Sequence, residues 1–359
     1  MAPGLVRVAL RRTLRDIKYV EAVRPRRAAG LVKDVYRQAE RDFGILAPPI
    51  ALHSPSPEVL AAAWLMLRES LVAGGAATRA DKEVVATAVS QVNECPYCVE
   101  VHGMTLDSLG EGGTAAALGS GDLQAISDTE TRALARWAAG AGRLPAEVPP
   151  GTAAELAAVA AAFHYLNRMV NVFLNESPLP GAVPENARAK ARSVLGHFLR
   201  PGTPPAAGDS VGLLPATAAD APAWSTPGST TADAFARAGA AVEAAGQRVL
   251  PPRVRDLIGR ELKAWDGRPP GLGRSWTGPL LTELPPAERP VARLALLVAL
   301  AAYQVDGDVV AEARRDLAGD AELVEAVAWA SLAAATELGT RLPLGKRGAG
   351  EDRRPVDRR

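Results

Sequence analysis

Asp81-Lys82-Glu83-Val84-Val85-Ala86-Thr87-Ala88-Val89-Ser90-Gln91-Val92-Asn93-Glu94-Cys95-Pro96-Tyr97-Cys98-Val99-Glu100-Val101-His102-Gly103 reads as two helices meeting at a proline. Val84, Val85, Ala88, Val89 and Val92 recur at the spacing of one apolar helical face. Pro96 cannot continue that helix, because its ring clashes with the carbonyl four residues back, but it suits the first position of a new one. Cys95 therefore stands at a helix start, with Cys98 in the first turn. There, unpaired backbone N–H groups and the positive end of the helix dipole stabilise negative charge on sulfur.

Outward from this hairpin the chain is rich in Ala, Leu, Glu and Arg, and β-branched alternation between turn residues is scarce, so the expected fold class is all-α. The periodicity predicts helices over 31–43, 56–73, 80–93, 96–109, 128–139, 152–175 and 185–199. Residues 201–232 combine Pro, Gly, Ser and Thr with almost no charge, the composition of a linker or long surface loop. Helices return over 232–247, 252–265, 287–304, 308–317 and 321–339. The expected organisation is a helical domain over 1–200, a linker over 201–232, a second helical domain over 233–342 and a disordered tail over 343–359.

The second region can be read as a worn copy of the first. Placing Asp81 on Glu288 superposes the apolar face of one helix on Val291, Ala292, Ala295, Leu296 and Ala299. In that register Glu83, Cys95, Cys98 and His102 fall on Pro290, Ala302, Val305 and Val309, none of which can do their chemistry.

Bulk properties narrow the function. Lys and Arg total 41 against 40 Asp and Glu, so no charge footprint points to nucleic acid or an anionic membrane. No apolar run approaches the roughly 20 residues of a membrane span, and the expected location is the cytoplasm. The 2 cysteines are too close together to act as a disulfide framework, so their proximity argues for redox or metal chemistry.

His102 follows Cys98 by one helical turn on the same face, which pre-pairs a thiol with a base. In one unbroken helix Glu83 would lie about 18 Å from Cys95. If the chain instead turns near Asn93 to Pro96, the outward and return rises nearly cancel, and Glu83 can orient His102 or relay its proton. A zinc reading would use Cys95, Cys98 and His102 as three ligands and lacks a clear fourth unless Glu83 reaches in. His164, Asn167 and Asn171 form a polar stripe on an otherwise apolar helix, which reads as satisfied polar groups at a helix or subunit contact rather than a pocket. His53 and His197 carry no neighbouring pattern and are expected at the surface or partly buried, and Trp224, Trp265, Trp276 and Trp329 read as core or interface residues.

Glu83, twelve residues to Cys95, two to Cys98 and four more to His102, with Lys82 and the Asn-x-Cys-x-x-Cys run, resembles the alkylhydroperoxidase D-like branch of the carboxymuconolactone decarboxylase superfamily. The resemblance implies an all-helical fold, homo-oligomers and thiol-dependent reduction of small hydroperoxides without a bound organic cofactor or metal. It implies that Cys98 attacks the peroxide, Cys95 closes a disulfide, and His102 with Glu83 relays protons. A cellular dithiol, lipoyl-like or thioredoxin-like, would then reopen the disulfide. One departure is Tyr97, where that branch has a histidine just before its second cysteine. The alternative function is a redox-sensing or interaction protein in which the pair oxidises slowly.

Overall fold

The computed structural model describes residues 11–179, 183, 185–199, 202–268 and 270–344. Among these the regular elements are all helical. They are α1 (Gly30–Gln38), α2 (Pro48–Ala51), α3 (Pro57–Leu67), α4 (Arg79–Val92), α5 (Pro96–Ser108), α6 (Gly112–Ser120), α7 (Thr129–Ala138) and α8 (Pro150–Phe173). After α9 (Glu185–Leu199) come α10 (Thr230–Val249), α11 (Pro252–Ala264), α12 (Thr277–Leu281), α13 (Arg289–Ala301), α14 (Gly307–Ala313) and α15 (Asp320–Arg341). The tail expected to be disordered lies almost wholly outside the described residues.

Three short helices escape the periodicity. α2 is only four residues long, α12 contains Gly278 and Pro279, and α6 opens on two glycines and carries a third, Gly119, in its last turn. Glycine and proline read as breakers in isolation, whereas packing holds these segments helical.

Two helices end in wide π-type turns, Ala39–Phe43 after α1 and Arg68–Val72 after α3. The second buries a charge cluster. Arg68 donates through Nε to Asp42 at 2.7 Å and through Nη1 to Glu69 at 2.5 Å. Glu69 accepts from the Ser210 hydroxyl at 2.6 Å and from the Gly208 amide at 2.7 Å, and Arg68 also donates to the Ala206 carbonyl. The segment with linker composition is thus fastened to the end of α3 by charge-assisted hydrogen bonds.

A single large apolar cluster draws residues from Ile17 to Ala335. Its central seams are α8 along α15 and α3 along α10. Alanine makes the first seam close: Ala157, Ala158 and Ala162 of α8, like Ala328, Ala330 and Ala334 of α15, are fully buried. Trp329 of α15 lies so near Gly246 of α10 that a Cβ there would sit 2.1 Å from the indole, which requires glycine at that crossing. The packing also repeats between the two regions: α4 packs on α8, and α13 packs on α15.

Candidate functional site

α4 is capped by Thr78, whose hydroxyl accepts from the Asp81 amide at 3.1 Å. Its end carries the site. The Cys95 amide donates to Ser90 O at 2.9 Å and the Glu94 amide to Gln91 O at 3.0 Å, the paired bonds of a Schellman turn. Such a turn needs one left-handed residue, normally glycine, and here Glu94 adopts it with φ 50°. The chain leaves the turn at Cys95, the N-cap of α5, and Pro96 fills the first helical position. Cys95 makes no side-chain capping bond, so the N–H groups of the first turn remain available to an acceptor beside them.

The reversal packs α5 back along α4. It brings His102 Nδ1 to 2.6 Å from Glu83 Oε2, both groups being buried. A carboxylate can only accept, so Nδ1 carries the proton and a neutral ring presents Nε2 as its basic nitrogen. Burial alone pushes the Glu83 carboxyl up, but Arg79 and His102 outweigh it and hold it below its usual value. Arg79 donates to the other Glu83 oxygen at 2.7 Å. Phe163 of α8 packs edge-on against the His102 ring with centroids 4.6 Å apart.

Cys95 and Cys98 are free thiols, and both are buried. Burial pushes the Cys95 thiol up, and the adjacent Cys98 adds to the effect. Cys98 and His102 face a narrow apolar cavity of about 70 Å³, walled by Phe43, Ile45, Leu67 and Phe163 among others. Among the described residues no hydrogen bond joins the Cys98 thiol to the His102 ring; the cavity is what they share. Tyr97 lines the same cavity, and burial followed by the neighbouring Cys98 keeps its hydroxyl protonated, so it can donate but not act as a base.

The polar stripe of α8 meets this turn. Asn93, the last residue before Glu94, donates to Asn167 Oδ1 at 2.9 Å and to His164 Nδ1 at 3.1 Å, and accepts from Arg168 Nη1 at 3.1 Å. Its carbonyl accepts from Asn171 at 2.9 Å. Asn167 donates to the Ser90 hydroxyl at 3.0 Å, and Arg168 reaches across to the Ala299 carbonyl of α13 at 3.1 Å. The stripe is thus a set of satisfied polar groups at a helix contact, and what it grips is the cysteine turn. Burial holds His164 at about 3, hence neutral.

Arg79, Asn93, Phe163 and Arg168 join this constellation without having been singled out from sequence. Arg79 stands four residues before Glu83, an ion-pair spacing legible in principle; the others had no local signal. Two histidines lie elsewhere. His53 is fully buried, against the expectation of a surface or partly buried side chain, because its ring stacks on Tyr165 in the core, and burial holds it at about 4. His197 is exposed on α9. Among the described residues no group of three or more His, Cys, Asp or Glu side chains is arranged to hold a metal, and no helix is long and apolar enough to cross a membrane.

The profile of the carboxymuconolactone decarboxylase family matches residues 58–163, a span containing Glu83, both cysteines and His102. A curated relative, an alkyl hydroperoxide reductase of Mycobacterium tuberculosis, is 39% identical over 337 residues, covering 91% of this chain and 95% of the relative. No solved structure matches the chain.

Proposed function

From the premise that this chain belongs to the carboxymuconolactone decarboxylase family, in its alkylhydroperoxidase D-like branch, we propose that it is a thiol-dependent peroxidase. The observation that carries the reading is the Glu83–His102 pair, set 2.6 Å apart, with His102 lining the same cavity as the free Cys98 thiol.

In this reading His102 Nε2 takes the Cys98 proton, either directly or through a hydroperoxide lying between them, while Glu83 holds the ring and stabilises it when charged. The Cys98 thiolate attacks the terminal peroxide oxygen. The S–O bond forms as the O–O bond breaks, and the departing alkoxide takes the proton from His102. Cys95 then attacks the sulfenic sulfur, forming the disulfide and releasing water. An external dithiol supplies the two electrons that reopen it. No bound organic cofactor is required. The apolar cavity favours a hydroperoxide with a hydrocarbon group over hydrogen peroxide.

In the same reading region 1–200 carries the chemistry, and region 233–342 braces the cysteine turn through Ala299. Catalysis within a homo-oligomer is part of the proposal. The test is turnover of an alkyl hydroperoxide by the reduced chain, with a Cys95–Cys98 disulfide appearing in step. Cys98→Ser should lower turnover by about a thousandfold or more with circular dichroism unchanged. Full activity in that variant would sink the assignment.

A further inference from the structure

α5 has two chemically different sides, and the cysteines are divided between them. Tyr97, Cys98, Val101 and His102 line the narrow apolar cavity. Pro96, Val99, Gly103 and Asp107 line instead an open cleft of about 1210 Å³ on the other side of the helix, and Cys95, fully buried, borders its floor. Neither Cys98 nor His102 contributes to that cleft, and Cys95 does not contribute to the cavity.

We propose that the two halves of the catalytic cycle use these two sides: the hydroperoxide meets Cys98 in the cavity, and the reducing thiol enters through the cleft and attacks Cys95. The proposal rests on the peroxidase reading and adds to it the route and the charge of the reductant.

Thiolate attack on a disulfide comes in line with the S–S bond and is fastest when the departing sulfur best bears negative charge. Attack on Cys95 from the cleft expels Cys98, which lies in the first turn of α5 beside backbone N–H groups that no side chain caps. Attack from the cavity would expel Cys95, a thiol that burial makes reluctant to ionise. The cavity, at about 70 Å³, also has little room for a reductant larger than a small alkyl group. The S–S bond breaks, Cys98 leaves with the electron pair, and a Cys95 mixed disulfide forms. A second thiolate then attacks the reductant's own sulfur, making the reductant disulfide and releasing Cys95, which takes up a proton.

The cleft also selects by charge. Glu94, Glu100, Asp107 and Glu176 line it against one guanidinium, Arg192, which is held by Glu100 at 2.6 Å. This surplus of carboxylate disfavours a thiol that carries its own anionic group, and the occupant it fits is an uncharged thiol or dithiol.

The full chain tests this by separate half-reactions. After oxidation with diamide, it is reduced with 2-mercaptoethanol or with its anionic counterpart 2-mercaptoethanesulfonate, at equal thiolate concentration. The sulfonate should react about five-fold more slowly at low salt, and the gap should close near about 0.5 M salt. Quenching with iodoacetamide and mass mapping should place the thiol adduct on Cys95 and the alkyl group on Cys98; the reverse placement overturns the proposal.

Gly103→Leu projects into the cleft from a position where an added Cβ meets nothing within 4 Å. It should slow reduction by about tenfold while peroxide oxidation of the reduced chain keeps its rate, and Ala47→Phe, which narrows the cavity, should do the opposite. Equal slowing of both half-reactions by Gly103→Leu refutes separate routes. Because diamide makes the disulfide without peroxide, a chain that consumes no hydroperoxide would overturn the peroxidase reading, while the adduct position still judges the route.

Discussion

The two regions each reverse a helix, and they do so with opposite chemistry. Between α4 and α5 the turn is followed by Cys95 at the N-cap, with no side-chain cap, and the inner face of α4 buries Glu83, Thr87 and Ser90. Between α13 and α14 the N-cap is Asp306, whose carboxylate accepts from the Asp308 and Val309 amides at 3.2 Å each. The buried face of α13 is Val291, Leu294, Leu297 and Val298, with no polar side chain among the buried residues. The second reversal satisfies its backbone and fills its core, as stability requires. The first leaves a helix start uncapped, buries a carboxylate and sets a glutamate in a glycine conformation, three costs that stability alone would remove.

Under the proposed function the first hairpin is the chemical one, and the largest test of the contrast is Glu83→Gln. This change should lower peroxide turnover on the order of 100-fold and alter the pH–rate profile, since the ring loses its ionised partner, while thermal melting still shows one cooperative transition. Unchanged kinetics would make Glu83 a structural charge only. A second test uses acidity, because all 4 histidines lie in the first region. His164 is held at about 3 and His53 at about 4, both chiefly by burial. A folded value below the unfolded one means that the unfolded chain takes up the proton first, so stability is full above about pH 6.5 and falls toward pH 3 to 4. By pH 5 each histidine should cost about 2 kcal/mol. Denaturant titrations at pH 7 and pH 5 measure this, and equal stabilities would mean that these rings are hydrated.

Two smaller changes sharpen the contrast. Asp306→Ala in the second hairpin should cost about 1 kcal/mol in thermal or denaturant unfolding and leave turnover unchanged. Loss of turnover there would show that the second reversal also serves the chemistry. Glu94→Gly in the first hairpin should stabilise the chain by about 1 kcal/mol, read as a higher melting temperature, by relieving the left-handed glutamate. If it destabilises, Glu94 makes a compensating contact.

Much of this site was legible in advance. The valine spacing and Pro96 marked the hairpin, and simple helix rises brought Glu83 back to His102. The stripe of His164, Asn167 and Asn171 was also visible, but the residue it holds was not. Asn93 lies 74 residues from Asn167, and Arg168 lies 131 from Ala299, so no local rule links them. α6 was missed for the complementary reason: its glycines argue against a helix that tertiary contacts hold in place.

The sequence by itself determined the all-α class, the helix break at Pro96, the one-turn spacing of Cys98 and His102 and, given a reversal at that break, the approach of Glu83 to His102. These follow from helical period, the geometry of proline and the reach of a helical turn, which operate within about twenty residues. Only the tertiary structure decided that α8 clamps the turn, that α13 braces α8 and that the two cysteines face different cavities. Those facts depend on which surfaces remain to be buried once each helix has formed. That is a property of distant segments packed together, and no short stretch of the chain contains it.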